Sequence, residues 1–299
     1  MDSTDLSDRI RRQFSGRGER ADIWRGFDAF LDTDRFLNLG YSARYESHLF
    51  GSPQRRLVDR VAREFLRAGI DPQGTRLLDV GCGRGGPTLH LTTEHGFDAV
   101  GIEFVPYNVS RARENARSHS ITGSDLRIAG SPTIAFLLGD ARQLPVDDDT
   151  FGACMAVDSI VYVPETRCVF AEIERVLKPG GVAVVTDLLV DDRGAHTRTV
   201  DRFSDAWDMP SLESTSMYVD TIEATGLDVV VSTDISGHSV DRFRKWTRLY
   251  RSIEDSPLGP TLHRALRRLG LDPDAVGQQV KTANDALPSL RHVLVRVRC

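Results

Sequence analysis

A chain of 299 residues with 40% hydrophobic and 27% charged residues is long enough to bury one large α/β core and ordinary in composition for a globular protein. Its longest near-apolar stretch, Val182 to Val190, is broken by Thr186 and Asp187, which excludes a membrane-spanning helix, and a net charge of −5 with a pI of about 5.9 gives no uniform positive field for nucleic acid. The four cysteines, Cys82, Cys154, Cys168 and Cys299, stand far apart with no C-x-x-C pair, so neither a disulfide framework nor a zinc site is read and no metal is expected.

The chain opens MDSTDLSDRI, acidic and polar where a secretory leader would be basic and then apolar, so a cytoplasmic location is expected. Residues 1–53 carry scattered aromatics, Phe14, Trp24, Phe27, Phe30, Phe36 and Tyr41, and are read as an N-terminal helical cap over a pocket. From Gln54 to Ala68, Leu57, Val58, Val61, Phe65 and Leu66 recur at helical spacing along one stripe. Apolar runs suited to strands follow at Arg76 to Val80, Ala99 to Ile102, Ile134 to Leu138, Ala153 to Val157 and Gly181 to Leu188. Helices fall after Gly86, from Asn108 to His119 and from Arg167 to Leu177. A helix at Tyr218 to Thr225 then leads to Leu227 to Ser232, which pairs antiparallel with Val293 to Val297, and 238–285 reads as a helical insertion. This alternation predicts an α/β domain over 54–299 with a doubly wound, Rossmann-like, seven-stranded sheet.

Leu77-Leu78-Asp79-Val80-Gly81-Cys82-Gly83-Arg84-Gly85-Gly86 is a strand running into a glycine cluster and then a helix. Glycines admit positive φ and let backbone approach a ligand closely, and the next helix begins with free N–H groups. Taken alone, Gly81-x-Gly83-x-x-Gly86 with Glu103 also fits a dinucleotide site, which leaves a dehydrogenase open. Asp79, two residues before the first glycine, favours the cationic methionine end of S-adenosylmethionine (SAM) instead. Glu103 at the end of the second strand suits two ribose hydroxyls. After the third strand, Asp140 suits an adenine amino group and the Ala141 N–H the ring. Asp158, Tyr162 and Asp187 follow the fourth and fifth strands, beyond whose carboxyl ends ligands bind in this architecture.

With Leu144-Pro145-Val146-Asp147-Asp148-Asp149-Thr150-Phe151 and Arg175-Val176-Leu177-Lys178-Pro179-Gly180-Gly181 added, residues 54–234 resemble the class I SAM-dependent methyltransferases. The resemblance implies that fold and SAM contacts from Asp79, Gly81, Cys82, Gly83, Glu103, Asp140, Ala141 and Asp158, with Phe104 flanking adenine and Asn108 near the methionyl group. Asn108 stands where many relatives have Gln, and Gly152 where they commonly have Asp. The segment Val157 to Val163 is similar to the post-strand-four loop of small-molecule methyltransferases, with Tyr162 where a histidine often stands. Phe36 to Tyr41 resembles a segment preceding the fold in sterol, quinone, polyketide and sugar methyltransferases, which makes Tyr41 a pocket-wall residue. His196 and His238 are further acceptor-side candidates.

The expected function is methyl transfer from SAM to oxygen or carbon of a small, partly apolar natural-product, quinone or lipid-like acceptor, with Tyr162, Asp187 and Asp158 as catalytic candidates. Thr186-Asp187, Pro210-Ser211-Leu212 and Tyr218 are similar to sarcosine and dimethylglycine methyltransferases. That keeps an amine acceptor open, with Arg193, Arg198 or Arg202 as a carboxylate clamp; a SAM-binding protein without turnover is a further alternative. The partner expected is a small molecule rather than nucleic acid, and a homodimer is left open.

Overall fold

The sheet grows from strands buried on both faces. In β1 (Arg76–Val80) Leu77 and Leu78 are both fully buried, the continuous apolar run a strand needs when helices cover the two sides. The computed structural model describes residues 3–14, 32–47, 51–118, 133–192, 197–269 and 271–299. These contain β2 (Asp98–Glu103), β3 (Ile134–Leu138), β4 (Phe151–Val157), β5 (Leu177–Val190), β6 (Asp228–Asp234) and β7 (Leu290–Arg298), in the spatial order β3-β2-β1-β4-β5-β7-β6. The first five strands run parallel, and β7 lies antiparallel between β5 and β6. The seven-stranded α/β sheet expected from the sequence is the one observed.

Alternate residues of each strand feed opposite layers. On one face Leu77, Met155, Val184 and Leu294 pack under α2 (Pro53–Arg67), which presents Leu57, Val58, Val61 and Phe65. Burying those four side chains contributes on the order of 8 kcal/mol. On the other face Leu78, Cys154, Ala183 and Val295 meet Val169, Phe170 and Ile173 of α5 (Thr166–Val176) and Tyr218 and Ile222 of α7 (Thr215–Glu223). α3 (Gly86–His90) runs on into a single π turn, Leu91–His95, and α4 (Pro106–Ser118) precedes β3.

Above the ends of β4 and β5 a second apolar cluster forms. It joins Phe14 of α1 (Ser3–Phe14), Val200 and Phe203 of α6 (Arg198–Ala206), Trp207, Met209, Val240 of α8 (Val240–Glu254), and Ala283 and Ala286 of α10 (Pro273–Ala286). With α9 (Gly259–Arg268), α8 and α10 are the helical insertion expected over 238–285. The cap is helical at α1, whereas 32–47 is irregular backbone; Trp24, Phe27 and Phe30 lie outside the described residues. The helix expected to end at Leu177 stops at Val176, and β5 begins at once. Its Lys178-Pro179-Gly180-Gly181 turn is carried as an irregularity, with Phe151 opposite Leu177 and Ala153 opposite Val182. No helix among the described residues is long and apolar enough to cross a membrane.

Candidate active site

Where β1 gives way to α3 the chain turns through Gly81, Gly83 and Gly85, all at positive φ. Gly81 has φ +73°, and a Cβ there would stand 2.5 Å from the Ser159 Cβ, so no other residue fits. The Gly81 and Cys82 N–H groups donate to the Ile102 carbonyl at 2.8 and 3.0 Å, which pins the turn against β2. Glu103, at the end of β2, accepts from the Gly83 N–H at 2.9 Å with one oxygen and from the Val105 N–H at 2.8 Å with the other, where the Asn108 amide also approaches at 3.4 Å. Burial pushes the Glu103 carboxyl up, and these donors oppose that shift.

A cleft of about 1070 Å³, open mouth included, runs along this loop. Gly81, Cys82, Gly83, Glu103, Phe104, Asn108, Asp140, Ala141, Asp158 and Tyr162 line it, so most of the sequence-predicted cofactor set is brought together. Asp79 is the exception. Its carboxylate lies behind the loop, takes the Thr88 hydroxyl at 2.6 Å, and is pushed up to about 7 by burial and by the nearby Glu103 against the Thr88 bond. Asp140 is held below its ordinary range by the Arg142 guanidinium, 2.8 Å away, which also reaches Glu165.

The acceptor-side expectations are redistributed. Asp187 does not line the cleft: burial pushes its carboxyl up, and it accepts from the Tyr218 hydroxyl at 2.8 Å and the Val161 N–H at 3.1 Å, tying α7 to the post-β4 loop. Asp158, at φ +54°, lines the cleft but is fully engaged. It accepts from the Leu39 N–H at 2.8 Å and the Thr186 hydroxyl at 2.7 Å, with His292 Nε2 at 2.8 Å. Burial alone would raise its carboxyl, but His292, the Leu39 N–H and Thr186 hold it below its ordinary value. Its two oxygens are thus held by three groups from three separate parts of the chain. Tyr41 and His238 stack on each other with ring centroids 4.6 Å apart and line neither this cleft nor the pocket beside it. His196 and Arg193 lie outside the described residues, and Arg198 and Arg202 are exposed on the outer face of α6.

Tyr162 sits at a junction. Phe14 meets it edge-on at 5.4 Å, burial pushes its hydroxyl up, and it lines both the cleft and an adjoining pocket walled by Leu39, Val161, Leu188, Phe203, Trp207, Met209, Phe243 and Leu287. That pocket comes from six separate parts of the chain, and no local motif announces it.

Two asparagines show what the cleft can hold. Asn38 Nδ2 and Asn108 Oδ1 are buried without a hydrogen-bond partner among the described residues, and both residues line the cleft. A free donor and a free acceptor left dry in one cavity is costly unless a polar ligand satisfies them. With the acidic Glu103 and Asp140, the donor set fits a ligand bearing hydroxyl, amino and cationic groups. Asn38 was missed beside Tyr41, although it belongs to the same Phe36 to Tyr41 segment; α1, which contributes Leu6, Ile10 and Phe14 to the wall, was legible only as part of a cap.

Residues 78–185 match the family model described as a methyltransferase domain. The O-methyltransferase rstn1 of Aspergillus nomiae is 27% identical over 205 residues, 67% of this chain and 84% of that protein. The 2-methyl-6-phytyl-1,4-hydroquinone methyltransferase of Synechocystis is 32% identical over 187 residues, and there the chain spans only 55% of the relative's length. Among solved structures, the geranyl diphosphate C-methyltransferase of Streptomyces coelicolor, in complex with Mg2+, geranyl diphosphate and S-adenosyl-L-homocysteine, superposes with a TM-score of 0.70 at 16% identity, over 100% of this chain and 99% of that one. The [4+2]-cyclase SpnF superposes at 0.69 with 22% identity, over 93% and 91%. At these identities the superpositions establish the fold.

Proposed function

We propose that this chain, which belongs to the class I SAM-dependent methyltransferases, transfers a methyl group from SAM to oxygen or carbon of a small, largely apolar acceptor. The observation that carries the acceptor class is the pocket beyond Tyr162. Among the described residues that wall it, only Asp158 and Tyr162 bear ionisable side chains, and both are unsuited to take a proton at neutral pH: Asp158 is committed to three partners, and the Tyr162 hydroxyl is raised by burial and so stays a neutral donor.

When bound, SAM supplies an electrophilic methyl on its sulfonium sulfur. The chain's own work is to hold the two reactants in line, since alignment replaces a bimolecular encounter. In this reading Glu103 binds the ribose hydroxyls, Asp140 and the Ala141 N–H take the adenine edge against Phe104, and Asn38 and Asn108 meet the methionyl end. Phe14, Leu37 and Tyr162 keep water from the junction of the two compartments. An acceptor here must bring a nucleophile that needs no strong protein base, such as a phenol or an electron-rich ring carbon. The exposure of Arg198 and Arg202 on α6 argues against a carboxylate clamp from either of them. We treat 54–299 as the catalytic domain with 1–53 as its cap, and the chain as a cytoplasmic protein acting on small molecules.

Calorimetric titration with SAM and S-adenosylhomocysteine, followed by incubation with alkylated phenols and hydroquinones, tests the proposal. Saturable one-site binding of both ligands and methylation of the apolar acceptors are expected. Failure to bind SAM overturns the cofactor assignment, and binding without transfer to any acceptor favours a SAM-binding protein without turnover.

A further inference from the structure

On the face of the sheet covered by α2, three side chains that play no part in the cleft converge. Asp59 projects from α2, His90 ends α3 and His95 ends the π turn. His90 Nε2 lies 2.7 Å and His95 Nε2 3.5 Å from the same carboxylate oxygen, Oδ1 of Asp59. One ligand atom from each residue lies within 4.8 Å of the others. All three side chains are partly exposed, at 36%, 13% and 23%, and therefore reachable from solvent.

Two features separate this cluster from an ordinary ion pair. The first is the backbone between the histidines. Five residues of α-helix, at about 100° each, would leave the two rings about 140° apart, whereas the wider π turn over Leu91–His95 brings them to one side, with ring centroids 5.9 Å apart. Such turns occur mostly as single insertions in α-helices, frequently at functional sites. The second is His95 Nε2, which faces the Asp59 carboxylate at 3.5 Å and, among the described residues, makes no well-formed hydrogen bond.

We propose that Asp59, His90 and His95 form a binding site for one divalent transition-metal ion of the zinc class. Two imidazole nitrogens and a carboxylate oxygen are borderline donors that suit Zn2+, Co2+ or Ni2+ over Mg2+ or Ca2+. A tetrahedral ion with bonds of about 2.1 Å holds its ligand atoms roughly 3.4 Å apart, a spacing these side chains reach by torsional adjustment, with water in the fourth position. The ion staples α2 to the end of the helix that begins beneath the glycine loop. The proposal is independent of methyl transfer, and it departs from the sequence reading, in which these residues, thirty-one and five positions apart, formed no motif.

The test uses the full chain without an affinity tag, stripped by a chelator and titrated calorimetrically with Zn2+, alongside His90→Ala and His95→Ala. One equivalent bound by the wild type, at least tenfold weaker binding in either variant, and a zinc-dependent rise in melting temperature that both variants lose are the expected results. Should His90→Ala fail to fold, His95→Gln carries the same test, because it gives up only the long 3.5 Å contact of His95 Nε2 with Asp59. No zinc binding by the wild type, or unchanged stoichiometry and affinity in the variants, overturns the proposal.

Discussion

Replacing Asp79 by asparagine should stabilise the ligand-free protein, an unusual outcome for a substitution at the end of a buried central strand. The carboxylate is 1% exposed, with the Thr88 hydroxyl donating to it and its carboxyl raised from the ordinary 3.8 to about 7. That rise costs the ionised form on the order of 4 kcal/mol. Asparagine retains an acceptor for Thr88 but loses charge assistance, roughly 1 kcal/mol, so a net gain of about 1–3 kcal/mol is expected above pH 7. At about 2 °C per kcal/mol for a chain of this size, the melting temperature should rise by a few degrees. The sign follows from linkage. The folded carboxyl keeps its proton between about 4 and 7 while the unfolded one releases it, so wild-type stability falls as pH rises through that window. The variant lacks this slope. Thermal unfolding of both proteins from pH 4 to 8 should give curves that converge at the acid end, part progressively from about pH 4 and run parallel above about pH 7. A difference that is flat with pH, or a variant less stable at pH 8, would refute the reasoning. Because a buried anion favours a cation nearby, SAM should raise the wild-type melting temperature more than the variant's.

Three further substitutions separate the roles assigned to the site. Glu103→Gln should weaken SAM binding roughly 10- to 150-fold, the worth of a charge-assisted hydrogen bond of about 1.5–3 kcal/mol, measured by calorimetry; unchanged affinity would remove Glu103 from the ribose. Asp158→Ala leaves His292, Thr186 and the Leu39 N–H without their acceptor and should cost about 3 kcal/mol or more, read as a lower melting temperature in both the presence and absence of SAM. Trp207→Ala opens the apolar pocket and should raise KM for a productive acceptor at least fivefold while SAM affinity stays within about twofold; the opposite split would place Trp207 on the cofactor side.

What the sequence discloses about this site depends on how far apart the partners lie. The glycine turn, Glu103 and Asp140 each sit at the end of a strand whose apolar run is visible by itself, so their placement around one cleft follows from the strand order. Asp187 and Asp158 look alike in sequence, both acidic and both following a strand. Their difference is made by Tyr218, His292 and Leu39, from 31 to 134 positions away, and no local pattern reports such pairings. Tyr41 was drawn from a segment that does reach the cleft, yet Leu37 and Asn38 line it while Tyr41 turns to His238. In irregular backbone no fixed period assigns side chains to faces.

The position of β7 bears on how the site comes into being during synthesis. The seventh strand in chain order is not an edge strand: it is wedged between β5 and β6, and it carries the imidazole that holds Asp158. While the ribosome still covers residues 290–298, β5 and β6 have no common neighbour, and the loop bearing Asp158 and Tyr162 lacks its anchor. The glycine turn and β1 to β4 are complete far earlier. A nascent chain therefore has the means to assemble the glycine turn and the Glu103 side of the cleft before the loop bearing Asp158 and Tyr162 is anchored, a step that waits for β7 to emerge.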